Sequence, residues 1–265
     1  MKLAKTKLNG LDFWYRSDDK FIGQRIALGK YEEYETLLML NQVDSNSVVV
    51  DIGANIGYYT LLLAQKCKMV YAFEPDKECF EILKKNVEEN GLKNVKLFNV
   101  AVGAKKEKRV LIKDKENLGN SHLTPPPYGH LPLTGEANIL LDNSYLVETD
   151  TLDNILKNEQ KIDLIKIDVQ GWEPEVVEGA KGIIKKYSPT LFMEYNGGNI
   201  DFLKKAYKNI WSIDYWFYIC RRGIKVNKKT GYVDLWLKKE FSLSDYWWTV
   251  KEIQVKKVLK HILDM

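Results

Sequence analysis

VVVDIGANIGYYT, residues 48–60, decides the fold. Val48-Val49-Val50-Asp51-Ile52 is a short apolar run of the kind found in a parallel strand buried on both faces. A loop from Gly53 to Gly57 follows, and then a helix from Tyr58 to Gln65. Gly53 lets the backbone turn sharply and come close to a ligand. Gly57 lets the next helix pack tightly on the strand. The spacing is G-x-N-x-G, not the G-x-G-x-x-G of nicotinamide enzymes. A helix N-terminus beside such a turn favours a carboxylate or phosphate. Taken alone, the turn fits a structural corner as well as a ligand site.

Outward from this turn the pattern repeats. Met69–Phe73 reads as a second strand, closed by Glu74 and Pro75. Asp76 is placed to cap a helix over Lys77–Asn90, and Gly91 to stop it. Val95–Val100 reads as a third strand. Upstream, helical spacing covers Tyr31–Gln42, and residues 1–30 are a turn-rich extension that predicts a hairpin or a lid, with Trp14 and Phe21 packed on the body. Residues 104–149, with a strand at Arg109–Ile112 and three prolines at 125–127, are too long for an ordinary connection and read as an insert on the substrate side, between strands three and four. The alternation resumes with a helix at Thr151–Lys157, a strand at Asp163–Val169, a helix at Glu173–Tyr187 with Pro174 in its first turn, and a strand at Thr190–Glu194. Residues 201–209 look helical, and the aromatic tail, 211–265, supplies the last strands, with a hairpin near Lys228–Gly231.

The expectation is therefore an α/β, Rossmann-like chain: a mostly parallel twisted sheet with helices on both faces, in one domain over 31–265. Ligands of such sheets sit outside the carboxyl ends of the strands, at the topological switch point. The residues just after each strand are the ones to question.

Composition narrows the classes. The chain has 265 residues, of which 45% are hydrophobic, enough for a substantial core. Forty basic and 36 acidic residues give a net charge of +4, and the lysines are scattered, which argues against a nucleic-acid partner. The clusters at Lys105–Arg109 and Lys225–Lys229 read as solvated faces, the second lying among aromatics that could also draw in a substrate. Cys67, Cys79 and Cys220 form no C-x-x-C, so a reducing, cytoplasmic compartment is expected. No run reaches the roughly 18 apolar residues of a membrane span. Nothing in the sequence sets the oligomeric state.

Glu74 follows Asp51 by 23 positions. An acidic residue at about 20 residues' spacing from such a turn suits a ribose diol, because one carboxylate accepts from two hydroxyls. A surface glutamate at a strand end is the plain alternative.

Several segments together resemble one family. DIGANIGYYT at 51–60, FEPDKECFEILKKN at 73–86, NVAVG at 99–103, DTLDNIL at 150–156, LIKIDVQGWEPEVVEGA at 164–180 and FMEYN at 192–196 are similar, in order, to the FkbM-type methyltransferases. The resemblance runs over roughly residues 28–197 and leaves out 1–27 and the tail from Trp211. It implies the class I methyltransferase fold and S-adenosylmethionine as cofactor. By position it implies that Asp51 and Gly53 border the methionine part of the cofactor, with Asp51 near its amino group, and that Ala54, Asn55 and Gly57 belong to the cofactor site. Glu74 would take both ribose hydroxyls, Pro75 would belong to the cofactor site, and Asn99, Val100 and Ala101 would lie beside the adenine. Asp168 would face the transferred methyl. The family's K-x-D-x-E-G reads Lys166-Ile-Asp168-Val-Gln170-Gly171 here, so a charge is missing at Gln170.

Methyl transfer from a sulfonium is an in-line displacement that needs positioning and, for a hydroxyl acceptor, a base. Asp168 is the first candidate, against a competing role as a cofactor contact or strand-end hydrogen bond; Glu194 is the second. His122 and His130 rank below them as loop histidines. Glu173 suits the start of its helix. Asp168, Glu173 and Glu194 could in principle share an oxygen-ligated cation, but no metal is expected. Thr124-Pro-Pro-Pro-Tyr128 has the look of the N/D-P-P-Y motif of amine methylases, yet lacks the polar residue before its last two prolines and the strand before the motif; a rigid loop is the reading. Trp211, Trp216, Trp236, Trp247 and Trp248 read as packing residues, with stacking on a sugar or base as the alternative. The reading is an O-methyltransferase for a sugar, glycan or other small polyhydroxylated acceptor. RNA methylation, or a silent cofactor-binding scaffold signalled by Gln170, are the alternatives.

Overall fold

A computed structural model of the chain describes residues 2–114, 117, 119, 121–123, 143–196, 216–219 and 232–238; for 33, 34, 38, 194–196 and the last two segments it describes the backbone alone. In chain order the elements are β1 (Leu3–Leu8), β2 (Leu11–Arg16), α1 (Gly23–Ala27), α2 (Glu33–Leu40), β3 (Val48–Ile52), α3 (Tyr58–Ala64), β4 (Met69–Phe73), α4 (Lys77–Glu89), β5 (Val95–Phe98), β6 (Ala101–Val102), β7 (Glu107–Ile112), β8 (His122–Leu123), β9 (Ser144–Asp150), α5 (Leu152–Ile155), β10 (Leu164–Ile167), α6 (Glu173–Gly179), α7 (Lys181–Tyr187), β11 (Thr190–Asn196), β12 (Trp216–Ile219) and β13 (Tyr232–Lys238).

Seven strands make the main sheet in the order β12-β13-β11-β10-β3-β4-β5. β5, β4, β3, β10 and β11 run parallel, and β13 lies antiparallel to both its neighbours. The order reverses between β3 and β10, so the switch point falls at the end of the VVVDI strand. Alternate side chains of β3 feed opposite faces, as a period of two requires. Val48, Val50 and Ile52 join the core under α5–α7, while Val49 packs with Met39 of α2 and with Tyr59 and Leu63 of α3. Both faces of β3 are covered, which is why all five of its residues are buried.

The order and the type of the described elements match the sequence reading, and the departures have local causes. The third strand ends at Phe98, not Val100: Asn99 turns its side-chain amide onto the carbonyls of Glu74 and Pro75, and Ala101–Val102 leaves to pair with β9. The long helix expected over 173–187 is two, meeting at Ala180. Just before the break, a Cβ on Gly179 would lie 1.9 Å from the carbonyl oxygen of Gly103, so this close crossing admits only glycine, a poor helix former. The segment read as an insert contributes β7, β8 and most of β9, a small sheet completed by β6 in the order β6-β9-β7-β8. Asp76 caps α4 as expected, accepting from the amides of Glu78 and Cys79. The helix read at 201–209, the Pro125–Pro127 loop, the Lys228–Gly231 turn and Trp211, Trp247 and Trp248 lie outside the described residues; β12 and β13 do pair antiparallel.

Residues 3–16 form a hairpin closed by Asn9-Gly10, both at positive φ (45° and 87°), the geometry of a two-residue type I′ turn. The hairpin is docked by two asparagines one helical turn apart on α4. Asn90 accepts from the Asp12 amide at 2.8 Å and donates to its carbonyl at 2.7 Å. Asn86 does the same for Trp14 at 2.6 and 2.9 Å, and also donates to the Ile56 carbonyl at 2.8 Å. The two amides thus satisfy an edge that would otherwise stay open. Asn86→Ala is expected to lower stability by ~2–4 kcal/mol, since it strands three backbone groups, that of Ile56 buried and the two of Trp14 partly so. Urea unfolding measures the loss, and amide exchange at 12–14 should rise; unchanged exchange would mean that apolar contacts alone hold the hairpin.

Candidate active site

Two charges stand in the middle of the sheet. Asp51 of β3 and Lys166 of β10 are register partners, exposed by 0% and 3%. The Lys166 ammonium lies 3.3 Å from Asp51 Oδ1 and 3.6 Å from Asp168 Oδ2, and donates to the Gly53 carbonyl at 2.8 Å. Burial opposes its charge, but Asp51, Asp168 and Glu32 outweigh that and hold the lysine above its ordinary range. Asp51 Oδ2 accepts from the Thr60 hydroxyl at 2.6 Å. Asp51 is therefore committed to Lys166 and Thr60 beneath the surface and does not line the cleft, where the sequence reading had set it beside an amino group.

A cleft of about 250 Å³ opens above this pair, at the carboxyl ends of the strands. Gly53 (φ +76°) forms its floor; a Cβ there would lie 1.8 Å from the Asp168 carbonyl oxygen, so the tight approach is to β10's end rather than to a ligand alone. Ala54 and Asn55 continue the floor, Asn55 also at positive φ (50°). Gly57 (φ +97°) is not in the lining and abuts Leu83 of α4. Glu74 and Pro75 line the cleft at the end of β4. The Glu74 carboxylate accepts the amides of Asn55 and Asp76, each at 2.8 Å, which aims it and fixes its rotamer. Burial pushes its carboxyl up to about 8, with Asp76 adding to the rise and the two amides opposing it. Val100 and Ala101 form the wall beyond it; Asn99 points away to its two carbonyls.

Asp168 ends β10 and faces the cleft with its side chain 31% exposed. Its Oδ1 accepts from Gln170 Nε2 at 3.1 Å. A glutamate at this point would set a second negative charge against Asp168; the amide supplies a donor instead. Gln170 and Gly171 both have positive φ (53° and 94°), and Glu173 holds the turn by accepting from the amides of Val169 and Gly171 at 3.1 and 3.2 Å. That buried carboxyl is pushed up to about 7, chiefly by desolvation.

The remaining wall comes from the N-terminal segment, with Phe21, Ile22, Tyr31 and Glu32 all in the lining. Glu32 adopts φ 43° at the start of α2 and accepts from the Tyr59 hydroxyl at 2.7 Å. Burial, with Asp168 adding, raises its carboxyl to about 7 against the pull of that bond. Burial and Glu32 in turn hold the Tyr59 phenol well above its usual range. His122, on β8, reaches the cleft from the small sheet; His130 lies outside the described residues. Glu194 lies in β11 opposite Asp234, and its side chain lies outside the described part. Among the described residues no three His, Cys, Asp or Glu side chains cluster as metal ligands, and no helix is long and apolar enough to cross a membrane.

The structure thus brings Gly53, Ala54, Asn55, Glu74, Pro75, Val100, Ala101, His122 and Asp168 to one cleft and leaves Asp51, Gly57 and Asn99 behind it. The sequence reading missed Glu32, Tyr59 and Lys166 as site groups. Lys166 carried a signal: a lysine inside the buried run LIKI demands a partner, and the aspartate inside VVVDI is the matching oddity. Glu32 carried none, being one of three acidic residues in YEEYE.

The chain matches the methyltransferase FkbM domain over residues 51–232 and belongs to that family, whose members depend on S-adenosylmethionine. It has the class I methyltransferase fold, and its backbone resembles that of methyltransferase FkbM from Methylobacillus flagellatus with a TM-score of 0.50 at 17% identity, over 73% of this chain and 44% of that one. It is 27% identical over 166 residues to a tRNA(Phe) aminocarboxypropyltransferase of Methanocaldococcus jannaschii, covering 62% of this chain and 63% of that protein. It is 25% identical over 144 residues to a hexuronic acid methyltransferase of Haloferax volcanii, covering 54% and 53%. The chain thus spans under two thirds of the length of these curated relatives.

Lys166→Met is expected to cost ~3–5 kcal/mol of stability, because Asp51 is left charged, buried and unpaired. Adding Asp51→Asn should recover part of it. Denaturant unfolding of both variants decides the matter, and equal losses in the single and double variants would deny the coupling.

Proposed function

We propose that this chain is an S-adenosylmethionine-dependent O-methyltransferase acting on a hydroxyl of a sugar, glycan or other small polyhydroxylated acceptor. The observation that carries the reading is the fixed Glu74 carboxylate, aimed into a cleft whose far end holds two further carboxylates, Glu32 and Asp168. A nucleoside laid along the cleft would set its adenine by Val100 and Ala101 and its diol on Glu74. Its methionine part would lie over Gly53 and Ala54. Asp168 and Glu32 would then face the sulfonium, where carboxylates would favour a cation and could receive a hydroxyl proton.

The chemistry of the far end supports oxygen as the nucleophile. The end of β10 reads Asp168-Val-Gln-Gly171 and offers none of the paired prolines that amine methylases place there. The tRNA-acting relative favours a second reading, RNA. Against it, Lys166 is already committed to Asp51 and Gly53, and Arg25 is set against three carboxylates in the lining, Glu32, Glu74 and Asp168, a poor surface for a phosphate backbone. The hexuronic acid methyltransferase among its relatives is consistent with a sugar hydroxyl. The likeness to each is partial, and the acceptor class rests on the family resemblance.

Calorimetric titration with S-adenosylmethionine, S-adenosylhomocysteine and NAD tests the cofactor. Saturable binding of the two sulfur nucleosides alone is expected; binding of neither would sink the reading. Glu74→Ala should weaken the nucleosides by ~2–3 kcal/mol, roughly 30- to 150-fold, through loss of two charge-assisted bonds. Affinity should also depend on pH. A diol favours the ionised carboxylate, so binding lowers the Glu74 pKa from about 8 and releases a proton. Affinity then rises with pH up to about 8 and levels off above it. A flat profile in wild type would remove Glu74 from the diol.

A further inference from the structure

We propose that Glu32, supplied by the N-terminal segment, is the group that takes the acceptor's proton in this cleft; this rests on the hydroxyl-transfer reading above. Every other described carboxylate at the strand ends is already occupied. Asp51 is buried beneath the floor with Lys166 and Thr60. Glu74 accepts two backbone amides at the ribose end, and Glu173 accepts two more behind the β10 turn. Asp168, the natural first choice, is held by the Lys166 ammonium at 3.6 Å and the Gln170 amide at 3.1 Å. Both Asp168 oxygens are thus engaged, Oδ1 by Gln170 and Oδ2 by Lys166.

Glu32 differs on each count. It lines the same cleft, its Oε2 accepts from one neutral hydroxyl, that of Tyr59, and among the described residues Oε1 accepts none. The groups that face it are Tyr59 from α3, Lys166 and Asp168 from the end of β10, Tyr31 beside it in the chain and Glu35 from α2, and Arg25 of α1 and His122 of β8 line the same cleft. Desolvation and the Asp168 charge raise its proton affinity to about 7, while the Tyr59 bond orients it. A base near the working pH is the most effective one. The Gln170 amide fits this division of labour: it engages Asp168, whose proximity raises the Glu32 carboxyl.

The step balances. The acceptor oxygen forms a bond to the methyl carbon, and the carbon–sulfur bond breaks with its electron pair going to sulfur, which turns the sulfonium into a neutral thioether. The hydroxyl proton passes to Glu32 and from there to solvent.

The test is carboxyl-carbon NMR of the full chain, 13C-enriched at the glutamate side-chain carboxyl, titrated alone and with saturating S-adenosylhomocysteine. Glu32→Gln identifies the Glu32 resonance by its loss, Glu32→Asp repeats the assignment, and Glu74→Gln marks the ribose carboxylate. Glu32 is expected to titrate near 7 in both states, while the Glu74 midpoint falls when the nucleoside binds. A Glu32 midpoint near the ordinary ~4.3 overturns the proposal. So does a fall to that range on binding, which would make Glu32 the counterion of the cofactor's ammonium. Failure of the cofactor reading is seen separately, as a Glu74 midpoint that does not move and a flat calorimetric trace. On the first glycoside found to accept methyl, Glu32→Gln should lower kcat at least about 100-fold with the cofactor KM unchanged. Asp168→Asn should lower it less, and the reverse order overturns the assignment.

Discussion

The buried ion pair of Lys166 and Asp51 is the constraint around which this molecule is organised. Neighbouring parallel strands place the two side chains in register at the one point where the strand order turns back on itself. Neither charge can be buried alone at tolerable cost, so the pairing of β10 with β3 is tied to a specific register. The same ammonium reaches the Gly53 carbonyl and the Asp168 carboxylate, and so joins the glycine turn to the end of β10. The floor of the cleft is set by that three-way contact, and the Gly53 approach to the Asp168 carbonyl fits only because glycine has no side chain.

Around this centre the cleft is assembled from pieces far apart in the chain. Glu74 is oriented by the amide of Asn55, so the second strand's end is calibrated against the first turn. Asn86 links the same turn to the hairpin through the carbonyls of Ile56 and Trp14. The N-terminal segment then carries Glu32 to the far end, where Tyr59, two residues past Gly57, receives it. Disturbance of any one piece is passed on by hydrogen bonds of fixed length, which gives a small cleft its definition.

The carboxylates in and behind the cleft are chemically alike and differ by their partners. Two amides make Glu74 a rigid acceptor, two others make Glu173 a clasp for a strained turn, and Asp168 is held between a lysine and an amide. Glu32, with one neutral donor in a desolvated wall, has its carboxyl raised to about 7.

Much of this was written in the chain itself. The apolar run 48–52 with its glycines, the acidic residue 23 positions on, and the recurrence of strand and helix determined a parallel sheet with a ligand at the strand ends, because periodicity and backbone freedom are local properties. Local sequence also placed the Asp76 cap and the carboxylate at 74. What it could not decide was which polar groups face the cleft and which hold it up. Asp51 was set beside the ligand by position and is instead consumed by Lys166, and the third strand was drawn through Asn99, whose side chain leaves for other carbonyls. Glu32 was invisible because its function depends on a hydroxyl 27 residues away and a carboxylate still farther along the chain. A charge is defined by its partners, and only the tertiary structure chooses them.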